Sequence, residues 1–172
     1  MKPFAVFDID GTLLRWQLYH ATVDALAKAG KIDPKKFASA RAARMIWKNR
    51  VNDNSFNDYQ NTIVKVYDEA VTNISYEDYL AAARHVFEEY KGQTYTYTRD
   101  LIKKLKAKDY VLFAISASQI EAVELLAKHY GFDDWAGSHY ELKNGKFTGR
   151  KQILAGNQKP LELDKLIKKH GV

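Results

Sequence analysis

The sequence predicts an α/β fold in which an all-helical segment is inserted after the first strand of a parallel-sheet core. Two observations carry this. A short apolar strand, Phe4-Ala-Val-Phe7, is followed by helical patterning from about residue 15 to 91 with no strand in it. From residue 98 onward helix, strand, helix and strand then alternate at the spacing that a parallel sheet with right-handed crossovers requires.

The elements follow in order. Trp16, Tyr19, Val23, Leu26 and Ala27 recur at helix spacing, and Asp33-Pro34 opens a second helix with Asp33 as N-cap and Pro34 at the first helical position. Phe56, Tyr59, Ile63, Val66, Tyr67 and Ala70 mark one face of a third. Ser75-Tyr-Glu-Asp78 reads as a capping box for a fourth, ending near Lys91-Gly92. Together these predict a four-helix bundle of its own over residues 15–91, with 1–14 and 92–172 forming the core and hinges near 14–15 and 92–95. In the core, a helix over 98–108, a buried strand over 110–115, a helix over 119–130 and a short strand over 135–138 are expected. A hairpin turning on Asn144-Gly145 and a last helix over 160–170 complete it.

The bulk properties suit one packed domain. The 172 residues are 46% hydrophobic and 28% charged, with no cysteine, which excludes disulfide frameworks and thiolate metal sites. No apolar run is long enough for a membrane span, and Asp8 and Asp10 interrupt the start too early for a signal peptide. A cytoplasmic location is therefore expected, with no membrane partner. The net charge of +6 is spread along helical faces such as Ile102-Lys-Lys-Leu-Lys106, so no nucleic-acid partner is expected; the oligomeric state is left open.

The chemistry is concentrated at the end of the first strand, in Asp8-Ile-Asp10-Gly11-Thr12. Residues two apart on a strand point the same way, so both carboxylates should project from the strand's carboxyl end, where open α/β sheets place ligands. Carboxylates held so close repel, and a divalent cation is the usual remedy. One can attack an electrophile while the other moves a proton, which is the outline of a phosphoryl-transfer site. Ser116-Ala-Ser118 ends the buried strand just before a helix, where a hydroxyl and helix amides can hold a phosphoryl oxygen. Ser116 is the candidate for that role and Ser118 for the helix cap. Lys159 at the start of the last helix could neutralise a transferring phosphoryl group, with Lys151 as the competing choice.

These motifs resemble the haloacid dehalogenase-like hydrolases, and within them the phosphoserine-phosphatase-like branch, whose helical cap follows the first strand of a Rossmann-like core. Asp8-Ile-Asp10-Gly11-Thr12 matches the first motif and Ser116 the second, while the hairpin at Asn144-Gly145 and Lys159 resemble the third. The resemblance implies that Asp8 is the nucleophile forming an aspartyl-phosphate. It makes Asp10 the residue that protonates the leaving group and then activates water. Ser116 and Lys159 bind the phosphoryl group, with Thr12 and Ala117 grouped beside them. Mg²⁺ is the implied cofactor, held at Asp8 and Asp10, through the main-chain carbonyl of the latter. A small phosphorylated substrate is the implied partner.

Two departures stand out. The family's fourth motif, an acidic Gly-Asp-x-x-x-Asp-like sequence, has no counterpart before Val172. A piece of a longer protein is expected, with a shortened, catalytically weak phosphate-binding module or one completed by a partner as alternatives. One edge of the sheet is expected to be uncovered. At the offset where phosphoserine phosphatases place a glutamate for the substrate's amino group, this chain has the neutral Gln17, which argues against phosphoserine. Gln17 and Trp16 are the candidates for substrate contacts, and His20 reads as an ordinary surface or core histidine. The expected function is a Mg²⁺-dependent phosphatase acting on a small phosphorylated metabolite.

Overall fold

In the computed structural model, which describes residues 2–172, β1 (Phe4–Phe7) is followed by α1 (Leu18–Lys28), α2 (Pro34–Lys48), α3 (Ser55–Ala70) and α4 (Tyr76–Tyr90). Then come α5 (Thr96–Ala107), β2 (Val111–Gln119), α6 (Ile120–Tyr130), β3 (Asp134–Lys143), β4 (Lys146–Ile153) and α7 (Lys159–His170). The strands form one sheet in the order β1-β2-β3-β4, parallel throughout except for the antiparallel β3–β4 hairpin. This is the α/β core with a helical insertion that the sequence predicts, and β1 lies at the edge of the sheet.

Local signals account for the helix starts. The Asp33 carboxylate accepts from the Lys35 and Lys36 amides, and Ser75 Oγ accepts from the Asp78 amide at 3.1 Å. The hairpin turn carries φ of 51° at Asn144 and 74° at Gly145, the paired positive values of a two-residue primed turn.

β2 is buried on both faces, as a central parallel strand must be, which is why it reads as a continuous apolar run. Leu112 and Ala114 join the cluster under the helical insertion, whereas Phe113 and Ile115 pack with Leu166 of α7 and Val172. The four helices of the insertion follow one another with no strand between them, and their buried faces are continuous with the core. Leu18, Ile63 and Ala83 belong to the same buried cluster as Phe7, Leu112 and Leu126, because α4 packs on α6 while α1 packs on α4.

The two junctions of the insertion run side by side. The Arg15 amide donates to the Gln93 carbonyl at 2.9 Å and the Tyr95 amide to the Leu13 carbonyl at 3.0 Å. Farther out, the Tyr67 hydroxyl of α3 donates to Gln119 Oε1 at 2.6 Å, and Lys151 of β4 pairs with Asp68 of α3 at 2.6 Å. The hairpin tip reaches the start of α4 through the Tyr76 amide and the Gly145 carbonyl, 2.9 Å apart. Three separate contacts thus hold the insertion closed over the carboxyl ends of the strands.

Other differences concern boundaries. β2 continues through Ser116-Ala117-Ser118 to Gln119 instead of ending at Ile115, and β3 runs unbroken from Asp134 into the hairpin. Asp134 opens β3 and pairs with Lys169 and His170 at 2.7 Å each. Among the described residues no helix is long and apolar enough to cross a membrane.

Candidate active site

β1 ends at Phe7, and the chain then turns so that Ile9 is wholly buried while Asp8 and Asp10 both border one cavity between the insertion and the sheet. The amides of Thr12, Leu13 and Leu14 all donate to the Ile9 carbonyl, which fixes the turn. The cavity encloses about 340 Å³.

The two carboxylates have contrasting surroundings. Asp8 Oδ1 accepts from Lys159 Nζ at 2.9 Å and from the Ile9 amide at 2.9 Å. Among the described residues Asp8 Oδ2 meets only the Thr12 hydroxyl, at 3.4 Å. Asp10 faces neutral donors alone: the Leu18 amide on Oδ1, and on Oδ2 the hydroxyls of Ser116 at 2.5 Å and Ser118 at 3.1 Å. Burial raises the Asp10 pKa against the lowering effect of Ser116 and Leu18, and the neighbouring Asp8 charge raises it further.

The structure brings Asp8, Asp10, Gln17, Ala117 and Lys159 to the cavity wall. Thr12 stands behind Asp8, and Ser116 is fully buried with its hydroxyl on Asp10. Of the two competing lysines, Lys159 is the one that contacts Asp8, while Lys151 lines the cavity but is paired with Asp68.

Two expectations are corrected. Ser118 does not cap α6; Gln119 occupies the N-cap with no side-chain bond, and the Ser118 hydroxyl donates to Asp10. β2 continues as extended chain, which sends Ser116 and Ser118, two residues apart, to the same side, where both hydroxyls reach Asp10. Trp16 does not border the cavity. It stacks on Trp47 at 5.6 Å under the Arg44 guanidinium and belongs to the aromatic packing of the insertion.

Two further positions around the site are not legible in the sequence. His20 is 2% exposed and lines the cavity; its place in an apolar helical stripe conceals this. Gly137 on β3 is the other, since a Cβ there would lie 2.9 Å from the Ser118 carbonyl oxygen and 2.8 Å from Ile120 Cα. Only a residue without a side chain lets β3 approach the serine segment so closely.

Among the described residues no three His, Asp or Glu side chains converge as a metal cluster. The available donors are one side of the Asp8 carboxylate and main-chain oxygen, since both Asp10 carboxylate oxygens are occupied.

A family model described as haloacid dehalogenase-like hydrolase matches residues 5–172. No curated protein sequence matches the chain. Among solved structures, a protein of unknown function from Bordetella pertussis Tohama I superposes with a TM-score of 0.75 at 15% identity, covering 100% of this chain and 77% of that one. A phosphoserine phosphatase solved as a phospho-aspartyl intermediate analogue gives 0.61 at 22% identity, covering 99% and 73%. A substrate-bound phosphoserine phosphatase complex gives 0.61 at 21% identity, covering 100% and 73%. At these identities the likeness is one of fold.

Proposed function

Because the chain belongs to the haloacid dehalogenase-like hydrolases, we propose that it is a phosphomonoesterase that works through an aspartyl-phosphate on Asp8. One observation carries this: two adjacent carboxylates share a cavity, one against a cation and the other enclosed by neutral donors. A carboxylate held against a cation suits a nucleophile, and one whose burial favours the protonated form suits a proton donor.

In the first step an Asp8 oxygen attacks phosphorus and the bond from phosphorus to the alcohol oxygen breaks. Asp10, which burial favours in its protonated form, gives its proton to the departing oxygen. In the second step Asp10 takes a proton from water, the water oxygen attacks phosphorus, and the bond to Asp8 breaks, releasing inorganic phosphate. Lys159 offsets the charge of the approaching phosphate dianion.

The donor set fits Mg²⁺, which commonly takes one or two protein oxygens and completes its shell with water and substrate phosphate. Asp8 and the main-chain carbonyl of Asp10 would hold it. When bound, it draws charge from the phosphoryl oxygens as a Lewis acid.

The test is hydrolysis of p-nitrophenyl phosphate with and without Mg²⁺, by wild type and Asp8→Asn. Mg²⁺-dependent turnover that the substitution abolishes is the expected result. Equal rates in both proteins would end this reading. Phosphate binding without turnover in wild type would favour a catalytically weak phosphate-binding module.

A further inference from the structure

Resting on that reading, we infer that the insertion side of the cavity selects phosphate esters of uncharged, hydroxyl-rich alcohols, with His20 as a specificity-determining residue. The argument begins with charge. Apart from Asp8 and Asp10, no carboxylate lines the cavity among the described residues. Besides Lys159, the cation that lines the cavity among the described residues is Lys151, which is matched by Asp68 at 2.6 Å and lies over the Tyr140 ring. A leaving group carrying an ammonium would find no unmatched carboxylate away from the reacting pair, since Asp68, beside Tyr19 and Tyr140, is already paired with Lys151. One carrying a carboxylate would have to compete with Asp68 for Lys151.

What remains is a set of neutral groups able to donate and accept: the carboxamides of Gln17 and Gln60, the phenols of Tyr19 and Tyr140, and the His20 imidazole. One of these has unmet capacity: His20 Nδ1 is shielded from solvent without a partner among the described residues, and buried polar atoms are rarely left so. The imidazole is fixed by rings on several sides, with Tyr59 at 4.8 Å and Trp16 at 6.0 Å between centroids. Burial, reinforced by the Arg44 charge, keeps it neutral by lowering its pKa to about 4. A neutral imidazole can both accept from and donate to alcohol hydroxyls, and aromatic edges supply the apolar surface that a sugar-like carbon chain requires. The cavity is at the small end of the range for ligand pockets, which sets the scale at a polyol or monosaccharide phosphate.

The experiment compares sorbitol 6-phosphate, glycerol 1-phosphate, O-phosphoethanolamine and 3-phosphoglycerate, with p-nitrophenyl phosphate as the generic ester. The kcat/KM of the polyol esters should exceed that of the charged ones by ~10-fold or more, since a site built for hydroxyl groups penalises unmatched charge. His20→Phe should raise KM for sorbitol 6-phosphate by ~10-fold and leave p-nitrophenyl phosphate within about twofold. His20→Asn, whose carboxamide stands near the place of Nδ1, should recover most of the loss. Gln60→Leu, on an exposed position of α3 where folding is not at stake, should weaken the same esters selectively. Equal or better turnover of O-phosphoethanolamine or 3-phosphoglycerate overturns the inference, as does an unchanged substrate ratio in both His20→Phe and Gln60→Leu. Should p-nitrophenyl phosphate not be hydrolysed at all, the phosphatase reading fails separately. Calorimetric binding of sorbitol 6-phosphate against O-phosphoethanolamine then decides the subsite alone: tighter polyol binding, lost in Gln60→Leu, upholds it, and equal binding overturns it.

Discussion

Ser116 Oγ lies 2.5 Å from Oδ2 of Asp10, a contact between residues 106 positions apart. The serine expected to grip phosphate places its hydroxyl on the proposed proton donor. This hydrogen bond favours the ionised form of Asp10, opposing burial. Ser116→Ala should therefore raise the Asp10 pKa further. The alkaline limb of the kcat–pH profile should move to higher pH, with kcat reduced by ~10–100-fold. A limb that stays in place would detach Ser116 from Asp10 chemistry.

Asp10→Asn should separate stability from activity. Because burial raises the pKa of Asp10 in the folded state, the fold binds its proton more tightly than the unfolded chain does. Its contribution is favourable at low pH and is lost as pH rises through the folded-state pKa. At neutral pH the amide removes that penalty and can still accept from the Leu18 amide. Calorimetry should show Tm raised by about 2–4 °C, the response of a domain this size to ~1 kcal/mol, while turnover is abolished. A lower Tm would contradict the account of Asp10.

Lys159 contacts Asp8 through a half-exposed ion pair at 2.9 Å, a kind that adds little to stability. Its importance should lie in the reaction. Lys159→Ala should reduce kcat/KM by ~10²–10³-fold and leave Tm nearly unchanged; a large fall in Tm with modest kinetic loss would reverse the assignment.

Gly137→Ala tests whether the approach of β3 shapes the site. The added methyl meets main-chain atoms of Ser118 and Ile120, which cannot swing aside. The overpacking should cost ~1–3 kcal/mol in urea unfolding, and displacement of Ser118 should reduce activity beyond what the lost stability explains. Wild-type stability and rate would show that the segment yields without effect.

His20 gives the fold its own pH dependence. The ordinary histidine pKa of about 6.5 falls to about 4 in the folded protein through burial, then through Arg44. Between those values the unfolded chain binds the proton and the folded one does not, so stability drops as pH falls from 6.5 toward 4. Relative to His20→Phe, wild type should lose about 3 kcal/mol across that window. Parallel urea midpoints of the two proteins from pH 7 to pH 4 would refute this.

The sequence by itself determined the features that depend on neighbours within a turn or two. Asp33-Pro34, Ser75 with Asp78, and Asn144-Gly145 each encode a cap or turn through bonds to residues at most three positions away, and all three form as read. The paired acids after β1, with a helical insertion before the next strand, were legible for the same reason. Only the tertiary structure set Lys159 against Asp8 and Lys151 against Asp68, gave Ser118 to Asp10 instead of to α6, and placed His20 in the cavity wall. These outcomes depend on where α3, β4 and α7 meet the ends of β1 and β2. An ammonium group can be matched to one acid or another only when chain segments more than eighty residues apart have closed on each other. Local propensity carries no information about that closure. The shared apolar cluster beneath the insertion drives it, by burying faces that no single segment can bury alone.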